Sequence, residues 1–369
     1  MTHPATAAST VAAPPAAIAR LLADFDAGRP AALARAVSIV ENHRPGFDRL
    51  LGVLHPRLGR ARRIGITGPP GAGKSTMTTA LAAALRERGE RVGIVAVDPT
   101  SPFTGGALLG DRIRMERIAL DPGIFIRSLA TRGSLGGLSS ATREVSDVLD
   151  AFGFDWILLE TVGVGQSELD VARAADTTVV VLVPESGDAI QTLKAGLMEI
   201  ADVFVVNKAD RPGADRLRHD IEVMLGIRGG SGYGDVPAHH GVDLKRIMNP
   251  ARAAREAAAE ASTERWTAPV LRSVASKDEG VAELLDALAR HRGYLEATGE
   301  LGRRRRQRLR ERVTEVVEHK VRQRLWSDEP TVAWVDAQLP AMEAGTATPF
   351  AIADALLARS GDLLTRSGS

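Results

Sequence analysis

The chain has 369 residues, of which 44% are hydrophobic and 25% charged, a composition typical of a globular protein with a substantial core. Its formal net charge is +1, which argues against a protein whose main role is to coat nucleic acid. It contains no cysteine, which excludes a disulfide framework, a zinc–thiolate site, an iron–sulfur cluster and a cysteine nucleophile.

The N-terminal region begins with residues rich in Ala, Pro and Thr, and we expect a disordered leader over residues 1–15. No Lys or Arg precedes Arg20, and no apolar run is long enough to cross a bilayer. We therefore expect a cytoplasmic protein that has no membrane partner. Residues 16–60 show two helical patterns, over 16–27 and from Pro30 onward, and are predicted to form a helical arm.

From Arg63 onward, short apolar runs alternate with helical patterns, as in βαβ units around a buried, mostly parallel sheet. The predicted strands cover residues 64–67, 92–97, 124–128, 156–160, 178–183, 203–206 and 270–273. The predicted helices between them include 76–88, 139–151 and 190–201. We therefore expect one α/β domain over residues 61–295, with a loop or lid from Gly226 to Gly241 within an inserted loop over 226–250.

The C-terminal region, residues 296–369, is predicted to be helical. Gly302 is expected to interrupt the pattern before an Arg-dense helix over 303–326, and a last pair of helices is predicted over 332–343 and 349–359. A basic cluster can indicate nucleic acid, but no aromatic residues interleave with this one. We interpret the helix as a solvated basic face with an apolar side that packs in a dimer. The apolar side consists of Val313, Val316, Val317, Val321 and Leu325.

A phosphate-binding motif follows the first predicted strand. It matches the pattern G-x-x-x-x-G-K-[ST] and consists of Gly68, Pro69, Pro70, Gly71, Ala72, Gly73, Lys74 and Ser75. The glycines let backbone N–H groups turn toward phosphate oxygens, and the N-terminus of the helix behind the loop favours an anion. Lys74 is expected to reach the β- and γ-phosphates, and the Ser75 hydroxyl is expected to bind Mg²⁺.

Three carboxylates are candidates for holding the metal. Asp98 and Glu160 each stand at the end of a predicted strand, the edge where a parallel sheet binds its ligands. Glu160 is followed by Thr-Val-Gly, the layout of the Asp-x-x-Gly element of GTPases. Its carboxylate is expected to hold Mg²⁺, and the Gly163 N–H to contact the γ-phosphate. Asp111 follows a glycine pair and is as compatible with a helix cap or a solvated charge as with a metal site.

A base-recognition motif, Asn207-Lys208-Ala209-Asp210, follows the predicted strand 203–206. The Asp210 carboxylate can accept hydrogen bonds from N1–H and the exocyclic amino group of guanine, whereas adenine offers no matching pair of donors. Lys208 is expected to lie along the base. After the last predicted strand, a backbone N–H within Val274-Ala275-Ser276 is expected to contact guanine O6, with Val274 in place of the usual Ser.

These motifs resemble the MeaB/ArgK family of GTPases. The resemblance runs from about Ala31 to the C-terminus and is carried by residues 65–81, 97–112, 160–168, 187–196 and 207–210. Its most specific part is Glu-Thr-Val-Gly-Val-Gly-Gln, since most other GTPases carry Asp in place of Glu160. The resemblance implies a P-loop NTPase G domain, within a broader group of metallochaperone-like GTPases.

For function, the resemblance implies a GTPase chaperone of methylmalonyl-CoA mutase or a related adenosylcobalamin-dependent acyl-CoA mutase. Such proteins couple GTP hydrolysis to cofactor loading and to protection or reactivation of the mutase, and they form homodimers through C-terminal helices. The residues from Gly68 to Thr76 are implied to bind the phosphates of GTP or GDP. Asp98, Asp111 and Glu160 are implied to surround Mg²⁺, and Asp210 to recognise the base.

The expected hydrolysis depends on Lys74, Asp111, Glu160 and Gly163, which supply charge and positioning. Many GTPases carry a water-orienting Gln directly after the glycine, but here that residue is Val, and Gln166 lies two positions further on. We therefore expect slow intrinsic hydrolysis that accelerates when the mutase orders its contact loops. The residues predicted to respond to the partner are Arg114, Gln166 and Lys194.

Two alternative functions stay open. A metallochaperone GTPase for another metalloenzyme would be expected to carry a His-rich or Cys-containing element, and the pair His239-His240 alone makes a poor metal site. A kinase of a periplasmic binding protein is a label that this family has sometimes carried. A kinase usually has no need of guanine specificity, so the Asn-Lys-x-Asp motif weighs against it.

Overall fold

The computed structural model describes residues 16–99, 115–131, 137–161, 167–184, 197–229 and 266–359. The chain divides into two compact units, one ending at Gly302 and the other beginning at Arg303. The sequence had placed this division between residues 295 and 296. The predicted leader and residues 230–250 of the predicted inserted loop lie outside the described residues.

The first unit is built on a seven-stranded sheet in which every strand pairing is parallel. Its strands are β1 (Arg62–Thr67), β2 (Val92–Pro99), β3 (Ile124–Thr131), β4 (Trp156–Thr161), β5 (Thr177–Leu182), β6 (Val203–Val206) and β7 (Val270–Arg272). Their order is β3-β2-β4-β1-β5-β6-β7, so the carboxyl ends of all strands meet at one edge. The predicted α/β class and mostly parallel sheet are confirmed.

Nine helices of the described residues lie in the first unit. They are α1 (Ala16–Asp26), α2 (Pro30–Glu41), α3 (Phe47–Leu54), α4 (Lys74–Glu87), α5 (Gly137–Phe152), α6 (Ser167–Ala174), α7 (Met198–Ile200), α8 (Ala214–Gly229) and α9 (Val281–Ala297). Helix α10 (Glu300–Trp326) contains the boundary between the units. It is followed by α11 (Glu329–Asp336), α12 (Leu339–Glu343) and α13 (Pro349–Arg359). No helix among these is both long and apolar enough to cross a bilayer.

Alternate strand residues contact helices on opposite faces of the sheet. In β4, Trp156 and Leu158 belong to a cluster with residues of α4 and α9. Ile157 and Leu159 belong to a second cluster that contains residues of α2 and α5. Because both faces are covered, these strands have continuous apolar sequences, which is why the sequence predicts them well.

The predicted helical arm is part of the first unit, and α5 holds its connection to β1. The N–H groups of residues 59–61 donate to the buried carboxylate of Asp150 at 2.8, 3.1 and 3.0 Å. Arg63 at the start of β1 also donates to Asp150, at 3.1 Å, and to Asp147 at 2.8 Å. The start of β1 is therefore held in place by two carboxylates of helix α5.

The charge of Arg63 is retained although the side chain is largely buried. Burial opposes the charged form, but the carboxylates of Asp147, Asp150 and Asp176 outweigh burial and raise the pKa of Arg63 above its ordinary value. This arginine is therefore a permanent positive charge in the cluster, and removing a carboxylate would leave it poorly compensated.

Two predictions about glycines are wrong. Helix α8 continues through Gly226 to Gly229, so the loop predicted to begin at Gly226 does not begin there. Its buried residues Leu217 and Ile221 offset the cost of an interior glycine, which is about 1 kcal/mol. Gly302 does not interrupt the C-terminal helix either, because α10 begins at Glu300 and places this glycine in its first turn.

Other predicted helix bounds also differ. The helix predicted over 332–343 is two helices, α11 and α12, because Pro340 lies in the first turn of a new helix, where its missing N–H costs least. Of the helix predicted over 190–201, the structure describes only the end, α7, and residues 190–196 lie outside the described ones. Helices α3, α6 and α8 were not predicted.

Candidate functional site

The loop between β1 and α4 has a backbone that only glycine permits at two positions. Gly68 has φ +136°, and a Cβ there would lie 2.1 Å from the carbonyl oxygen of Val181 in β5. Gly73, the N-cap of α4, has φ +87°, and a Cβ there would lie 2.3 Å from Nδ2 of Asn207. The predicted phosphate loop therefore packs directly against β5, the neighbour of β1 in the sheet, and against the Asn207 side chain at the end of β6.

Lys74 begins α4 and is buried. Its Nζ donates to the carbonyl oxygens of Gly68 at 2.8 Å and Pro69 at 3.0 Å, so the ammonium group lies over the loop. The first N–H groups of α4 have no acceptor within the helix and face the same loop. Together they form a positively polarised cradle that suits phosphate oxygens.

A buried carboxylate lies beside this cradle. The Ser75 hydroxyl donates to Oε1 of Glu160 at 2.5 Å, and Glu160 is buried near the end of β4. The adjacent Thr161 hydroxyl donates to that of Thr67 at 3.1 Å, which joins the ends of β4 and β1. Asp98 stands one residue beyond Val97, the partner of Thr161 in the register of β2 and β4, so three strand ends converge here.

These residues fit a hard cation such as Mg²⁺. A serine hydroxyl and a carboxylate are both oxygen ligands, and Mg²⁺ is commonly held by one or two carboxylates together with substrate phosphates. In the described part of the chain, no group of three or more His, Cys, Asp and Glu side chains could hold a metal ion. The arrangement therefore suits an ion that depends on phosphate oxygens for much of its coordination.

Asn207 connects the phosphate loop to the last strand. Its Nδ2 donates to the carbonyl oxygen of Ala72 at 2.8 Å. Its Oδ1 accepts from the Ser273 hydroxyl and from the Ala275 N–H, each at 3.1 Å. The side chain is buried, so these three hydrogen bonds are shielded from water and fix two loops relative to each other.

Asp210 lies beyond this connection with its side chain 45% exposed. Its Oδ2 is 3.5 Å from Nζ of Lys277, which belongs to the turn after β7. Lys208 has φ +55°, a left-handed conformation that turns the chain between the buried Asn207 and the more open Asp210. A carboxylate that is exposed between the loop after β6 and the turn after β7 can accept two N–H donors from one edge of a planar base.

Several predicted residues lie outside the described ones. They are Asp111, Arg114, Gly163, Gln166, Lys194 and the pair His239-His240. Asp98 is described through its backbone register alone. Among the remaining predicted residues, the structure brings Lys74, Ser75 and Glu160 together, with Thr76 in the first turn of α4.

One contacting residue was missed by sequence reasoning. Val274 stands where this loop usually carries a serine, and the hydroxyl that contacts Asn207 belongs instead to Ser273. The Ala275 N–H donates to Asn207. The contact between guanine O6 and a backbone N–H within residues 274–276 stays a prediction. The signal for Ser273 was its position directly after an apolar strand, shifted by one residue from the expected serine.

Comparison with known proteins agrees with this geometry. The family described as methylmalonyl-CoA mutase-associated GTPase MeaB matches residues 33–330, a span that contains both motifs. The chain belongs to the MeaB family of GTPases. This confirms the resemblance, and the MeaB match begins within α2, so it includes part of the helical arm.

Relatives of this MeaB-family chain are also named GTPases. A putative GTPase of Pyrococcus abyssi is 45% identical over 300 residues, covering 81% of this chain and 84% of that protein. GTPase ArgK of Escherichia coli is 34% identical over 329 residues, covering 87% and 90%. A crystal structure of LAO/AO transport system kinase covers 95% of this chain and 98% of its own, with a TM-score of 0.63 and 27% identity.

Proposed function

We propose that this MeaB-family chain binds GTP, hydrolyses it to GDP and phosphate, and acts as a chaperone of an adenosylcobalamin-dependent acyl-CoA mutase. The observation that carries the nucleotide assignment is the buried Asn207, which joins the phosphate loop at Ala72 to the base loop at Ala275. The partner assignment is supported by the family description, which names methylmalonyl-CoA mutase, and that enzyme is our first candidate.

In the proposed reaction, the chain contributes positioning and charge more than covalent chemistry. Lys74 places its ammonium group over the phosphate loop, where it would neutralise charge on the β- and γ-phosphates. Ser75 and Glu160 would hold Mg²⁺, which supplies further neutralisation of the phosphate oxygens when bound. Asp210 would select guanine through its N1–H and amino donors.

The assembly part of the proposal is a homodimer formed through the C-terminal region. On α10, an apolar stripe is left exposed along the helix in the described chain. Its members are Leu309, Val313, Val316 and Val317. Apolar residues at this helical spacing are typical of a helix that pairs with another helix. Separately, Arg114, Gln166 and Lys194 are proposed to respond to the mutase.

The proposal is tested by following phosphate release from GTP with and without purified methylmalonyl-CoA mutase. We expect slow release by the chain alone and clear acceleration by the mutase, with neither in the variant Lys74→Ala. Capture of the mutase should differ between GDP and a non-hydrolysable GTP analogue. Fast hydrolysis that the mutase does not change would contradict the chaperone role, and transfer of phosphate to a protein acceptor would favour a kinase.

A further inference from the structure

We propose that Arg272, at the end of β7, is a positioning residue that sets how strictly the base site selects guanine. It contacts no base and acts by holding the backbone next to Asp210. This inference rests on the proposed GTP binding and adds a residue that the motif does not contain.

Both backbone groups of Ala209 are bound by the end of β7. The Ala209 N–H donates to the carbonyl oxygen of Ser273 at 2.9 Å. The Ala209 carbonyl oxygen accepts from Nη2 of Arg272 at 3.2 Å. Since Ala209 directly precedes Asp210, these two bonds define where the base-recognising residue starts.

The guanidinium group of Arg272 is itself oriented by a second partner. Its Nη1 lies 2.9 Å from Oδ1 of Asp215 in the first turn of α8. One planar group therefore bridges the loop carbonyl and the helix that follows the loop. A lysine carries its charge on a single flexible ammonium group and cannot hold both partners in the same fixed planar geometry.

The loop needs such support because its own conformation is unfavourable. Lys208 adopts φ +55°, a region that residues with a side chain rarely occupy. Asp210 is 45% exposed, so packing alone does not fix its carboxylate. If the Arg272 contact is lost, we expect the loop to relax and the Asp210 carboxylate to move away from the guanine amino group.

The test compares GTP with ITP, whose base lacks the 2-amino group but keeps the same N1–H and phosphates. Calorimetry in the presence of Mg²⁺ would measure both affinities for the full chain and for Arg272→Met. We expect GTP binding to weaken about three- to tenfold and ITP binding by about twofold or less, so that the GTP/ITP ratio falls.

The chain offers a closely matched control in Arg218→Met. The side chain of Arg218 is 45% exposed, as is that of Arg272, and it also forms a 2.9 Å ion pair, but its partner Glu222 lies in the same helix, α8. This variant should leave both affinities unchanged. Arg272→Lys should recover only part of the loss, and it also serves if Arg272→Met fails to fold as judged by its thermal unfolding midpoint.

Equal weakening of GTP and ITP by Arg272→Met, no weakening, or the same effect from Arg218→Met would overturn the positioning role while leaving GTP binding intact. A wild-type chain that binds GTP and ITP equally would overturn the base-site assignment itself. The two failures are therefore distinguishable in one series of titrations.

Discussion

At the scale of single residues, Asn207 and Asp210 divide the work of the base motif. Asn207 is buried, and its side-chain amide forms hydrogen bonds with Ala72, Ser273 and Ala275. Asp210 is half exposed and its carboxylate faces Lys277. Residue identity at Asn207 is thus constrained by the protein, whereas that at Asp210 would be constrained by the proposed nucleotide.

The carboxylate of Asp210 gives a prediction about base selection. The variant Asp210→Asn should bind GTP about 10- to 100-fold more weakly, because an amide cannot accept from both guanine donors as a carboxylate does. Preference should move toward XTP, whose base offers an acceptor at the corresponding position. Isothermal titration calorimetry with GTP and XTP measures the change.

A suitable control is Asp220→Asn, which alters an aspartate of α8 that faces Arg216. It should retain wild-type selectivity. If Asp210→Asn keeps the same GTP selectivity as well, Asp210 does not recognise the base.

At the scale of elements, α5 fixes the first strand of the sheet through its acidic residues. Asp150 accepts three N–H groups of the connection to β1, and it shares Arg63 with Asp147. The phosphate loop follows directly at the other end of β1. The position of that loop therefore depends on carboxylates that are distant in sequence. Arg63 and Asp147, for example, are 84 residues apart.

Removal of the Asp150 carboxylate should be strongly destabilising. Asp150→Ala leaves three backbone donors, of which that of Ala61 is buried, and part of the Arg63 charge uncompensated, and we expect the free energy of unfolding to fall by about 3–5 kcal/mol. Urea unfolding followed by circular dichroism measures it. Asp155→Ala, which removes an exposed acceptor of the Arg91 N–H, should cost about 1 kcal/mol, and equal costs would refute the special role of Asp150.

The sequence predicted the strands and the two nucleotide motifs because their signals are local. A buried parallel strand is an apolar run, and the phosphate and base motifs are short strings at strand ends. The roles of Asp150 and Ser273 were not predictable, because their partners are distant in sequence. Helix α8 was missed because only a few of its residues, among them Leu217 and Ile221, are buried.

At the scale of the whole molecule, the second unit carries the feature most suited to assembly. Helix α10 has 27 residues, and among its residues only Leu325 is buried. The apolar stripe of α10, defined above, is exposed, including Val313 at 64% and Val317 at 52%. Such a helix gains stability when the stripe is covered by another copy.

The stripe predicts that Val317→Asp will break the proposed dimer. A carboxylate in an apolar helix interface should weaken association by about 2–3 kcal/mol, or roughly 30- to 150-fold in Kd. Sedimentation velocity over a concentration series measures this, and intrinsic GTP hydrolysis should be unchanged. Arg322→Asp, which places a carboxylate on an exposed position at least a third of a turn away from every residue of the stripe, should stay dimeric. A wild-type chain that is monomeric throughout would refute the proposal.

The buried amide of Asn207 also has a consequence for how the nucleotide is held. By keeping the phosphate loop and the base loop at a fixed separation, it makes the proposed GTP a ligand with two anchored ends. Once the phosphates are bound, the base meets its own loop as an intramolecular partner, at an effective concentration of about millimolar or more. Binding of GTP would then be strengthened by a chelate effect, one that guanosine and inorganic triphosphate supplied separately could not reproduce.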